Sequence, residues 1–165
     1  MPTVRRTWAL VGQTPILKIA GGWTKISAIS AISVSAGKSR IALYMRFHPL
    51  KNIRYPQVLT FLRYLLRHFK RGFVLLWDRG SMHKAGMIKK FLKDNRHVHS
   101  HFFPGYAPEL NPAEFVWNRM KHDVANGVPK DTQDLQGHLR VSAGRLKESS
   151  RLLWSCVRAS ELPWR

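Results

Sequence analysis

Between Met1 and Trp77 the chain has no aspartate and no glutamate. No carboxylate for metal binding or general acid–base work can come from that stretch. Nine acids serve all 165 residues, against 28 Lys and Arg, giving a formal charge of +19. Cysteine is nearly absent too. Cys156 stands alone, which excludes a disulfide framework and a cysteine-based zinc site, and suits a reducing compartment. No apolar run approaches the ~18 residues needed to span a bilayer. Arg5 and Arg6 precede an apolar patch, but Gly12, Gln13 and Pro15 interrupt it, which argues against a signal peptide.

What is present is a globular composition, 44% hydrophobic with six Trp and eight Phe, in a length that suits one domain with a real core. Residues 1–77 hold 13 Lys and Arg and the remainder 15, so the positive charge is spread rather than held in a tail. Such a field attracts polyanions, and counterion release makes nucleic acid the leading partner. A membrane surface is the plainer rival, but no long basic amphipathic helix stands out.

The pattern along the chain predicts mixed α/β structure. Ile41, Leu43, Met45 and Phe47 alternate, predicting a strand with one buried side. Ile26, Ile29 and Ile32 recur every three residues, closer to a helical period, yet the β-branched content and the "SAGKS" turn favour a hairpin. "YPQVLTFLRYLLRHFKRG" predicts a helix with Pro56 in its first turn, an apolar stripe of Val58, Leu62, Leu65, Leu66 and Phe69, and Gly72 closing it. "FVLLW", residues 73–77, predicts a short strand buried on both faces. Lys84 to Asn95 predicts a second helix, with Met87, Ile88, Phe91 and Leu92 inward, and "HVHSHFF" a strand after it.

Asn111, Pro112 and Glu114 give N-cap, first-turn proline and capping-box signals for a third helix, with Ala113, Trp117, Met120 and Val124 as its buried stripe. Two shorter helices follow, capped near Asp131 and Ser149 or Ser150. Residues 1–128 are expected to form an α/β core and 129–165 a helical tail of the same domain. A strand–helix–strand unit preceded by a hairpin implies a mixed sheet flanked by helices.

Asp78 ends the "FVLLW" strand, the position at which open α/β sheets carry their sites. The plain alternative is a turn, in which the Asp bonds its own backbone or pairs with Arg79. Glu114 is equally readable as a capping-box residue reaching back to the Asn111 amide. Glu109, ahead in the loop, reads as a solvated acid. His97, His99 and His101 alternate and would share one strand face. Three imidazoles suit zinc, but no fourth ligand is evident nearby, and exposed histidines are the simpler account.

Two segments together carry more than their parts. "LLWDRGSMHKA" and "FFPGYAPELNPAEFVWNRMK" resemble the DDE-type transposases of the mariner superfamily, in particular their bacterial insertion-sequence branch. "VRRTWALVGQTP" is similar to a segment that those enzymes carry shortly after their first catalytic Asp. The resemblance covers nearly the whole chain. It implies an RNase H-like (retroviral-integrase-like) fold whose three carboxylates bind two divalent ions, Mg²⁺ or Mn²⁺, for DNA strand cleavage and strand transfer.

Carried over by motif position, Asp78 is the second acid and Glu114 the third, both catalytic and metal-binding, while Glu109 belongs to the turn. His83 matches the family's His after the Asp. Lys121, Arg119, Arg79 and Lys84 are candidate DNA contacts, Lys121 first because it shares a helix stripe with Glu114. DNA is the implied partner, with a homo-oligomer in the complete enzyme, no membrane, and a cytoplasmic, nucleoid-associated setting.

The family's first acid has no counterpart, since residues 2–77 offer no substitute. The expectation is a truncated or internally initiated reading frame, an RNase H-like sheet lacking its first strand, and a chain that does not cleave DNA alone. A non-catalytic basic DNA-binding remnant, or a nuclease or resolvase of the same fold, are the alternatives.

Overall fold

The computed structural model describes residues 25–125 and 129–163; the apolar patch over 5–15 and the "VRRTWALVGQTP" segment lie outside the described residues. Strands β1 (Ile26–Val34) and β2 (Ile41–Pro49) form an antiparallel hairpin running from Ile26↔Pro49 to Val34↔Ile41. Its turn is closed by the Ser35 amide on the Arg40 carbonyl at 2.9 Å and the Lys38 amide on the Ser35 carbonyl at 2.8 Å. Lys38, not Gly37, takes the left-handed conformation, with φ 54°.

The period-three isoleucines have a structural reason. In a strand, positions three apart point to opposite faces, and here both faces of the hairpin are covered. Ile32 packs with Leu43 and Met45 against one helical layer, while Ile29 packs against another.

Helix α1 (Tyr55–His68) has its proline in the first turn and buries Val58, Leu59, Phe61, Leu62 and Leu65. The buried face is therefore rotated toward Leu59 and Phe61 from the expected stripe, and Leu66 is only partly covered. The chain turns at Gly72, whose φ is +91° and whose missing Cβ would lie 2.0 Å from the His97 carbonyl oxygen. No other residue fits there, because a left-handed backbone and a strand-end carbonyl coincide.

Strand β3 (Phe73–Trp77) follows, then a 3₁₀ turn (Ser81–Lys84), helix α2 (Gly86–Asp94) and strand β4 (Val98–Phe102). The β3–β4 pairing is parallel, from Phe73↔Val98 to Trp77↔Phe102. The expected burial of β3 on both faces is not what forms. Leu75 and Trp77 pack on α1 and α2, but Val74 is 64% and Leu76 45% exposed. Their partners across the ladder, His99 and His101, are exposed with them. A short apolar run does not reveal how many faces are covered, and among the described residues helices pack closely on only one. The second helix also begins later than expected, at Gly86, and Met87 is half exposed rather than inward, leaving Ile88 and Phe91 as its buried pair.

Helices α3 (Pro112–Val124), α4 (Thr132–Glu148) and α5 (Ser150–Ala159) make the other layer, against β2. Leu43, Met45, Val116, Met120, Leu146 and Leu153 are its centre. Val116 and Met120 are fully buried, so the inward stripe of α3 is centred on Val116 rather than on Ala113, and Trp117 flanks it. Asp131 and Ser149 cap α4 and α5 by accepting the Asp134 and Leu152 amides. The buried Ser142 hydroxyl donates to Asp123 at 2.6 Å, tying α4 to α3.

The strands form two two-stranded ladders, of which β1–β2 lies between the two helical layers and β3–β4 is covered by α1 and α2 on one face. Among the described residues no strand hydrogen bonds join the ladders. They are united by α1, because Ile29 of β1 and Leu75 of β3 pack on the same cluster around Val58 and Leu62.

Candidate active site

The ladder β3–β4 ends where the Phe103 amide donates to the Trp77 carbonyl at 2.8 Å. Asp78 is the next residue, with its side chain 63% exposed. Its Oδ1 accepts the Gly80 amide at 2.8 Å, an Asx turn, and lies 3.2 Å from His83 Nε2. The turn reading of Asp78 is therefore correct as far as it goes, but it uses only one oxygen. Arg79 does not pair with Asp78; its Nε donates to the Phe103 carbonyl at 3.1 Å and fixes the start of the loop after β4.

His83 is held from the other side by the Trp77 indole, with ring centres 4.4 Å apart. To donate to Asp78, its Nε2 must carry the proton, which leaves Nδ1 bare. Nδ1 is buried without a partner among the described residues, as is the Trp77 indole nitrogen. Burial lowers the imidazole's pKa below its ordinary 6.5, outweighing the charge of Asp78 and the hydrogen bond to it, which both raise it. His83 is thus a neutral imidazole at neutral pH, and it orients Asp78 as a hydrogen-bond donor rather than as a cation.

Gly80 was not among the residues that the sequence marked, although the Asp-x-Gly turn pattern contains it. A Cβ there would sit 2.9 Å from Asp78 Oδ1 and 3.2 Å from His83 Cδ2. The carboxylate is cradled by an absence.

Glu114 lies in the first turn of α3, where the helix dipole favours a carboxylate. The capping box expected of it does not close. Asn111 Oδ1 accepts the Ala113 amide at 3.1 Å, and the Asn111 amide is satisfied by the Pro108 carbonyl at 3.0 Å. Among the described residues Glu114 makes no hydrogen bond or ion pair through its carboxylate, so it is half-buried and uncommitted. Glu109 sits in a 3₁₀ turn (Pro108–Leu110), exposed, and its carbonyl accepts the Glu161 amide at 3.0 Å.

The structure brings Asp78, Gly80 and His83 together, and one loop leads from that cluster to Glu114. Lys121 is exposed two turns along α3 from Glu114, and Lys84 is exposed directly after His83. Arg119, also exposed, is electrostatically coupled to Cys156 of α5, on the far side of α3 from the candidate stripe. His97, His99 and His101 are exposed, and among the described residues no three metal-ligating side chains gather.

A hairpin, a parallel strand–helix–strand unit ending in an acid, and a following helix with an acid in its first turn define an RNase H-like α/β core. Residues 1–136 match the family described as DDE superfamily endonuclease, and the chain belongs to it. By structure it is similar to the Mos1 strand transfer complex, with a TM-score of 0.56 and 14% identity, over 96% of this chain and 50% of that one. The Mos1 transposase paired-end complex with the left transposon end gives 0.55 at 14% identity, over 97% and 52%. The chain spans about half the length of these solved proteins. No curated protein matches it by sequence.

Proposed function

We propose that this chain is a catalytic-core segment of a DDE-type DNA transposase, acting on phosphodiesters at transposon ends and target DNA. One observation carries the reading: Asp78 is oriented at a strand end by Gly80 and His83, while Glu114 is left uncommitted at a helix start. Family membership and the fold of the Mos1 complexes support it. The insertion-sequence affiliation rests on the sequence resemblance carried by "LLWDRGSMHKA", "FFPGYAPELNPAEFVWNRMK" and "VRRTWALVGQTP".

The residues suit a divalent ion such as Mg²⁺ or Mn²⁺. With Oδ1 of Asp78 engaged, its other oxygen is free for a hard cation, and among the described residues no lysine or arginine neutralises either acid. Bound there, such an ion would polarise the phosphate and lower the pKa of the attacking water or hydroxyl. The protein's share is geometric. Gly80 and His83 fix the Asp78 carboxylate, Arg79 fixes the loop leading toward Glu114, and Lys121 offers a phosphate contact. A two-ion site needs a third carboxylate, which residues 1–77 do not contain.

The test is a nicking and strand-joining assay with Mg²⁺ or Mn²⁺. Residues 1–165 alone are expected to bind DNA without cleaving it. Supplying a preceding strand with an Asp, in cis, should give metal-dependent nicking that Asp78→Ala or Glu114→Ala abolishes. Equal nicking with both acids replaced would refute the assignment. The second reading, a basic DNA-binding remnant, is favoured by the lack of a gathered ligand trio among the described residues. It predicts no cleavage even with the added strand.

A further inference from the structure

A second concentration of charge lies at the end of β3 opposite Asp78. Arg67, His68, Phe69, Lys70, Arg71 and Gly72 line a cleft of about 370 Å³ where α1 ends and β3 begins. One turn earlier on α1, the Tyr64 ring carries the Arg46 guanidinium carbon of β2 at 4.5 Å from its centre and that of Arg67, a cleft residue, at 6.0 Å. Tyr64 is itself set edge-on to Tyr44 at 6.0 Å and to His68 at 4.5 Å. His68 Nδ1 bonds the Tyr64 carbonyl at 2.9 Å, so the other ring nitrogen is left for an external partner.

None of Arg46, Arg67, Lys70 and Arg71 pairs with a carboxylate among the described residues. The plain account of cations here is complementarity to the negative end of α1. It covers Arg67 and His68 in the last turn, but not Arg46 on another element, nor Lys70 and Arg71 beyond the helix. Gathering like charges without acids is unfavourable unless an anion is bound. Stacking on Tyr64 also restricts the Arg46 and Arg67 forks, so less freedom is lost when they engage an oxyanion.

We propose that this cleft and the guanidinia on Tyr64 form a phosphate-contacting surface for duplex DNA, separate from the Asp78–Glu114 carboxylates. Its partner rests on the DNA-acting reading above, but its residues do not take part in cleavage. The five-residue strand between them is roughly 16 Å long. On a duplex carrying one phosphate charge per about 1.7 Å of axis, the two regions engage one molecule about half a turn apart.

Fluorescence anisotropy of the 165-residue chain on a labelled duplex, between about 50 and 200 mM salt, reads this directly. Replacing Arg46, Arg67, Lys70 and Arg71 together by Gln should weaken binding about ten-fold or more and lower the salt slope by about 0.9 for each phosphate no longer neutralised. The comparison set, Arg140, Arg145, Lys147 and Arg151 to Gln, removes equal charge and should cost much less. Equal losses from the two sets, or an unchanged slope, would overturn the proposal. So would competition by phosphatidylserine vesicles that exceeds competition by duplex DNA.

If the fourfold variant fails to fold by circular dichroism, Lys70→Gln with Arg71→Gln, both on exposed side chains, should still lower the slope by up to about 1.8. Duplex binding by the 165-residue chain tests this surface, and nicking by the chain supplied with a preceding Asp-bearing strand tests the carboxylates, so the two proposals fail separately.

Discussion

At Gly80 a methyl group has nowhere to go. Gly80→Ala would push a carbon to 2.9 Å from the Asp78 carboxylate, and the side that yields is the hydrogen bond from His83. Mn²⁺ affinity, followed by paramagnetic broadening of the His83 ring signals, should fall several-fold, while the melting temperature changes little because the turn is at the surface. His83→Gln, which keeps a donor, should bind the ion better than His83→Ala. If Ala and Gln behave alike, His83 only fills space beside Trp77. Cys156 offers a pH test away from the site. Burial raises its thiol pKa above the ordinary 9.0, against the smaller lowering influences of the Ser155 hydroxyl and Arg119. The unfolded chain releases that proton first, so the folded state holds more protons in the window above pH 9 and stability must fall as pH rises through it. Denaturant midpoints between pH 8 and 10 should drop more in the native chain than in Cys156→Ala.

The elements record where local signals suffice. Asn111, Asp131 and Ser149 act as the caps their positions announced, because a cap is settled within four residues of chain. The hairpin was legible from the β2 alternation and the turn after β1, whereas the roles proposed for Asp78 and Glu114 come from the family resemblance and not from local signals. Burial on the second face was not legible: "FVLLW" reads the same whether one helical layer or two cover it, and only tertiary packing exposes Val74 and Leu76. The Glu114 cap failed for a related reason. Pro108 turned the loop back and satisfied the amide that the capping box would have used. At this scale, Gly72→Ala should cost about 3 kcal/mol in denaturant unfolding, since it strains a positive φ and collides with His97. Leu62→Ala, in the cluster beneath both ladders, should cost a similar ~3 kcal/mol. A loss below ~1 kcal/mol at Leu62 would mean that α1 is not the shared floor.

For the whole molecule, charge and connectivity matter more than any side chain. If the chain binds DNA as proposed, its net +19 should make that affinity steeply salt-dependent, and duplex binding that changes less than about ten-fold between 50 and 200 mM salt would mean that it does not grip phosphates at several points. The two ladders are anchored on one helix without sharing a backbone rung among the described residues, and this has a kinetic meaning. Each ladder can open by itself. Amide hydrogens of β1 and β2, sandwiched between helical layers, should exchange only with global unfolding, whereas those of β3 and β4, bare on one face, should exchange through a smaller, cheaper opening. The strand that aims Asp78 would then belong to the first cooperative unit to come apart, and DNA or metal that slows exchange there selectively would be tightening the machinery from its loosest end.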